Sequence, residues 1–185
     1  PLGDVFHFTT GGPHLAWPTT SSVMLHWETD RPAAARLEWG ETSALGRALD
    51  LPANGARIRT AAIEGLKVNT AYVYRLTATA PTGEVLDTGP IPFRTAPGEK
   101  DPVVFAAISD TEARPHVNAR LADLLWRESP QVVLNAGDLT DGGKGEHRFE
   151  WTHEYFAALA PLMARTAFLP VMGNGEDDFL WFERY

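Results

Sequence analysis

The hydrophobic pattern of the chain has two periods and switches between them near residue 97. In the first half, apolar and polar residues alternate. Val23, Leu25 and Trp27 share one face of the stretch 22–28, and Met24 and His26 take the other. The same alternation runs through 35–40, 57–64, 71–77 and 91–95. Turn residues fill the gaps, at Asp30-Arg31-Pro32, Asn54-Gly55 and Pro81-Thr82-Gly83. Short alternating segments between turns predict an all-β sandwich. His26, on the polar face, is expected at the surface.

The stretch 96–102 has the Pro, Gly and charged composition of a linker. The boundary is placed there, giving one domain over 1–97 and another over 98–185. Beyond it, strands and helices alternate. Val103–Asp110 is a short apolar run. From Pro115 to Glu128 the pattern is helical, with Val117, Leu121, Leu124 and Leu125 on one face. Pro115 suits the first helical turn, and Pro130 ends the helix. A buried strand begins at Val132 and ends in Gly137-Asp138. After the Gly142–Gly145 loop, a second helix spans about Glu146 to Arg165, with Phe149, Phe156, Leu159 and Met163 on its apolar face. A third strand, from Phe168, ends in Gly173-Asn174. Strand-helix-strand-helix-strand implies two right-handed crossovers and a parallel α/β sheet flanked by helices.

Charge sharpens the contrast. Residues 1–97 hold eight basic and nine acidic residues, whereas 98–185 hold eight and fifteen. Phosphate backbones need clustered cations, so the acidic second half excludes a nucleic-acid partner. There are no cysteines, so thiolate metal sites and disulfides are excluded. No apolar run approaches the roughly 20 residues of a membrane span. The first residues, 1–4, lack the features of a signal peptide, and the missing initiator Met is consistent with processing.

The chemistry concentrates at the strand ends. Asp110, Asp138 and Asn174 each close one of the three apolar runs, at the sheet edge where open α/β folds bind ligands. They offer oxygen donors, which suit hard or borderline cations. Each also has a plainer reading: Asp caps helices and forms turns, and Asn adopts left-handed backbone. Glu112 is either a fourth ligand or a helix-start residue favoured by the dipole. Asp141 is expected to stand behind the ligands or in solvent, and Glu176, Asp177 and Asp178 to form a polar loop. His116 is expected at the surface. His147 and His153, six apart, do not share a helical face and are not a ligand pair by spacing.

Two resemblances follow from these stretches. Leu66-Lys67-Val68-Asn69-Thr70-Ala71-Tyr72 resembles the tyrosine corner of fibronectin type III domains, with Val68 at the family's usual Pro. Trp27 is similar to their core Trp, and Phe93–Pro97 to their exit strand. Ser109-Asp110-Thr111-Glu112, Gly137-Asp138-Leu139-Thr140-Asp141 and Gly173-Asn174-Gly175-Glu176 resemble the first three motifs of calcineurin-like metallophosphoesterases. A sandwich ahead of them resembles the purple acid phosphatase arrangement. The implied fold is a fibronectin type III-like sandwich followed by the N-terminal part of a metallophosphoesterase domain, an incomplete sheet sandwich.

The resemblance implies two divalent or trivalent ions (Fe, Mn or Zn), with Asp110, Asp138, Asn174 and Glu112 as ligands and Asp138 bridging. It implies hydrolysis of a phosphate mono- or diester by metal-activated water, in a secreted or periplasmic protein. The chain departs from the family at Glu112, at Asp141 where purple acid phosphatases carry a Tyr ligand, and at Gly175 in place of a His. The last residues, 179–185, are crowded with aromatics, so further chain or a second chain is expected to complete the domain, and the 185 residues alone are expected to be inactive. Two other readings stand beside this one: a degenerate relative that binds metal or ligand without turnover, and an adhesive or structural β-sandwich module.

Overall fold

A computed structural model describes residues 5–142, 144–176 and 179–185. The expected loop positions Gly143, Asp177 and Asp178, and the N-terminal Pro1–Asp4, lie outside the described residues.

Eight strands form a sandwich. One sheet pairs β1 (His14–Ala16), β2 (Ser22–Glu28) and β5 (Ile58–Glu64). The other holds β4 (Arg47–Leu51), β3 (Ala34–Gly40), β6 (Ala71–Thr79) and β7 (Val85–Asp87), with β8 (Ile91–Arg94) also on β6. Their inward residues pack as the alternation predicts: Val23, Leu25, Trp27, Leu37, Ile63 and Leu76 are all buried. The tyrosine corner is present, because the Tyr72 hydroxyl accepts the Lys67 N–H at 3.0 Å. β1, β4 and β7 were not predicted. β1 and β7 are three residues long, and β4 buries no side chain fully, so neither length nor alternation marks them.

The second part is a parallel sheet of β9 (Phe105–Ile108), β10 (Val132–Asn135) and β11 (Ala167–Pro170), with β10 central. Helix α1 (Pro115–Glu128) joins β9 to β10, with Pro115 in its first turn and Ser129 closing it in left-handed backbone. A 3-10 turn (Gly145–His147), a π-helical stretch (Glu150–Phe156) and α2 (Ala157–Met163) lead to β11.

The helices flank one face of the sheet rather than both. Ala106, Ile108, Val133 and Phe168 pack with Ala122, Leu159 and Met163, whereas Phe105 and Leu134 on the opposite face are exposed. The strand order β9-β10-β11 explains this, since two crossovers of one hand that advance the same way deposit both helices on one side. Two helical faces also need correction. In α1 the buried residues are Asn118 and Ala122, while Val117 and Leu124 are each 49% exposed. In the second helical segment Phe149 points outward, and Trp151 and Tyr155 join Phe156, Leu159 and Met163 in the core. No helix among the described residues is long and apolar enough to cross a membrane.

The two parts meet across the outer face of β1 and β2. His26 is therefore half-buried rather than on the open surface. Its ring stacks on buried His14, at 5.3 Å between centroids, and His14 packs on Phe156 at 5.0 Å. Buried Glu28 accepts hydrogen bonds from Thr9, Arg148 and the Tyr185 hydroxyl. The Tyr74 hydroxyl crosses the junction and donates to the Ala164 carbonyl at 2.8 Å.

Two predictions follow from this junction. Tyr74→Phe leaves the buried Ala164 carbonyl without that donor and should cost about 1–3 kcal/mol in denaturant unfolding. The second concerns pH. Burial first, and then His26, hold the His14 pKa down to about 3, with the Tyr185 carbonyl opposing, and burial lowers His26 as well. Unfolded, both titrate near pH 6.5. Stability is thus complete above about pH 6.5 and falls as pH drops below it. At pH 5 the cost through His14 alone is about 2 kcal/mol. Thermal melts from pH 7.5 to 5 should show this loss, and His14→Gln should flatten it.

Candidate metal centre

The three strands of the parallel sheet run out at the same edge, and their loops continue to be tied together there. Ala136 N–H donates to the Ile108 carbonyl at 2.8 Å. Asp110 N–H then donates to the Gly137 carbonyl at 3.2 Å, and Thr111 N–H to the Asp138 carbonyl at 2.8 Å. Asp110 and Asp138 both turn through left-handed backbone, each with φ of 53°. That conformation is uncommon outside Gly, and Asp tolerates it better than most residues. It breaks the strand direction and leaves each carboxylate at the strand end.

The third loop wraps closely around Asp138. A Cβ on Gly173 would fall 2.0 Å from the Asp138 Oδ1, so only glycine permits this approach. Gly175 N–H donates to the same Oδ1 at 2.9 Å. Asn174 lies between these two glycines and is exposed. Gly175 itself is boxed in, since a Cβ there would meet the Thr140 carbonyl oxygen at 2.4 Å. The Gly175 carbonyl accepts from Gly142 N–H at 2.7 Å. A histidine at 175 would require the backbone to move.

Asp110, Glu112 and Asp138 converge. One carboxylate oxygen from each lies within 4.8 Å of the others, a spacing that a single cation can bridge. Glu112 sits four residues past the β9 end because buried Thr111 is pinned: its carbonyl accepts from the Asn118 amide of α1, and its hydroxyl accepts from Asn135 at 3.3 Å. Glu112 Oε2 is buried with no hydrogen-bond partner among the described residues. Burial, then the charges of Asp138, Asp110 and Asp141, push its pKa up, with Arg114 opposing. An orphaned oxygen among repelling carboxylates suits a site for a cation. The donors brought together are all oxygen, which fits hard cations.

Of the expected site residues, the fold gathers Asp110, Glu112 and Asp138 into one cluster and sets Asn174 on the loop around it. Asp141 is exposed and close enough to act on the charge of Glu112. Glu176 departs from its expected place in a polar loop. It is fully buried, and its carboxylate accepts three backbone N–H groups, from Leu139, Thr140 and Gly173. Glu150, in the π-helical stretch, is buried against His147, at 3.2 Å. Burial and Glu154 push its pKa up, with His147 opposing.

Comparison with solved structures supports this fold. A purple acid phosphatase from yellow lupin (Lupinus luteus) seeds superposes with a TM-score of 0.68 at 17% identity, over 88% of this chain and 34% of its own. PhoD superposes with a TM-score of 0.64 at 17% identity, over 90% of this chain and 38% of its own. The chain therefore spans little more than a third of the length of these structures. No curated protein matches the chain by sequence. Residues 103–185, which hold all three strand-end motifs, match the family model of calcineurin-like phosphoesterases.

Proposed function

We propose that the full-length protein is a metal-dependent phosphoesterase that hydrolyses phosphate mono- or diesters outside the cytoplasm. The observation that carries this reading is the convergence of Asp110, Glu112 and Asp138 at one sheet edge, inside the segment that matches the family. These three would hold the cation, with the Asn174 amide oxygen on the loop beside them. A bound cation polarises a phosphoryl oxygen and lowers the pKa of coordinated water toward neutrality. Mn²⁺ suits this oxygen-rich set, and Fe or Zn stands beside it. A second ion would draw on donors beyond the cluster, which is the one such group among the described residues.

The chain's own residues divide the remaining work. The glycines at 173 and 175 bring backbone against Asp138, and the Gly175 amide holds its Oδ1. Glu112 takes the place that a neutral His holds in the family's first motif and adds negative charge. Asp141 raises the pKa of Glu112 from outside the cluster. In this reading residues 1–97 are a fibronectin type III-like brace, and 98–185 begin the phosphoesterase domain.

A specific observation favours a second reading, a relative that binds metal or phosphate without turnover. Gly175 stands where the family carries a His, and the loop has no room for a side chain there. The two readings part on turnover.

Full-length protein loaded with Mn²⁺ should hydrolyse a chromogenic phosphate ester, and Asp138→Asn should reduce the rate at least 100-fold. Metal binding without turnover selects the second reading, and metal-independent turnover excludes both. A second outcome concerns stability. The folded pKa of Glu112 is raised, so its contribution is favourable below the unfolded value and is lost as pH rises past the folded one. At pH 7.5 without metal, Glu112→Gln should therefore raise the melting temperature. With Mn²⁺ present the order should reverse.

A further inference from the structure

We propose that Glu176 is a positioning residue for Asp138, the clasp that fixes the loop after β10 against the loop after β11. The inference rests on the reading of Asp138 as a metal-binding carboxylate and says how this chain holds it in place.

The geometry is unusual for a glutamate. Its side chain is fully buried. Oε1 accepts two successive N–H groups, Leu139 at 2.5 Å and Thr140 at 2.9 Å. These amides follow directly on the left-handed turn at Asp138, and successive N–H groups in such a turn form a concave anion seat. Oε2 turns back within its own loop, the one after β11, and accepts Gly173 N–H at 2.6 Å. One carboxylate thus bonds both loops, and it does so one residue after Asp138 on one side and at the glycine that abuts Asp138 Oδ1 on the other.

Burying a carboxylate is costly unless its oxygens are hydrogen-bonded. The three amide donors offset that cost, because between them they bond both carboxylate oxygens. What the arrangement gains is a rigid Asp138. The amide that holds Asp138 Oδ1 belongs to Gly175, the residue just before Glu176, so the clasp and the ligand contact share one turn of backbone. Loss of the clasp would free both loops at once. Outer partners of metal ligands typically change affinity 10- to 100-fold when altered.

Glu176→Gln keeps the shape of the side chain, but its NH₂ group must face either the Leu139 and Thr140 amides or the Gly173 amide. Glu176→Asp keeps the charge and is too short to bridge both loops. The test uses full-length protein confirmed as folded by its tryptophan near-UV signal, with Mn²⁺ titrated by calorimetry and amide hydrogen exchange followed in parallel. Both variants should bind Mn²⁺ 10- to 100-fold more weakly than the parent. Exchange should quicken at Leu139, Thr140 and Gly173, and also at Gly175, whose partner is Asp138 and not Glu176. Unchanged Mn²⁺ affinity in the folded variants overturns the proposal. If the parent binds no Mn²⁺, the metal reading fails separately and the Gly175 amide decides. Quickened exchange there upholds the positioning of Asp138, and protection equal to the parent's overturns it. If Glu176→Gln does not fold, Glu176→Asp carries the same readouts.

Discussion

The approach of backbone to the Asp138 carboxylate is the constraint on which the rest of the second half depends. Three loops must meet at one point, and each is shaped to allow it. Asp110 and Asp138 take left-handed turns where their strands end. Gly173 has no side chain because Asp138 Oδ1 occupies the place of its Cβ. Thr111 and Asn118 use buried hydrogen bonds to hold α1 and the first loop in register. The result is a concentration of negative charge, which adds to burial in pushing the pKa of Glu112 up.

The sandwich serves this edge indirectly. Its β1–β2 face carries α2 and the π-helical stretch through stacking on His14 and the bonds around Glu28, and Tyr74 of β6 adds a hydroxyl from the other sheet. Those contacts fix the helices, and the helices pack against the strands that end in the carboxylates. The junction is built on two imidazoles held neutral by burial, so it favours neutral or alkaline conditions. The open sheet face, with Phe105 and Leu134 exposed, lies away from both helices.

Much of this was legible in the sequence, for physical reasons. The sandwich strands alternate because one face is buried, and the strand ends are marked because a buried apolar run must stop at a turn residue. The places of Asp110, Asp138 and Asn174 follow from that alone. Other features left no such mark. Strands β1, β4 and β7 are too short or too exposed to alternate. The buried face of α1 is set by the hydrogen bond of Asn118 to Thr111 and by the small size of Ala122, whereas a count of hydrophobic residues points to Val117 and Leu124. His26 sits on the polar side of its strand, but that side is covered by the second part of the chain. Glu176 begins a run of three acidic residues, and nothing in their order says that Glu176 turns inward. Its spacing from Gly173 becomes a signal only when both loops are seen to need a common acceptor.

The account stands most directly on one measurement: a crystal structure of the full-length protein soaked with Mn²⁺, with anomalous data collected at the manganese edge. The account predicts a peak bonded by Asp110, Glu112 and Asp138 at ordinary metal–oxygen distances of about 2.0–2.6 Å. A site that stays empty at millimolar Mn²⁺, or an ion bound elsewhere while these carboxylates remain free, would contradict it.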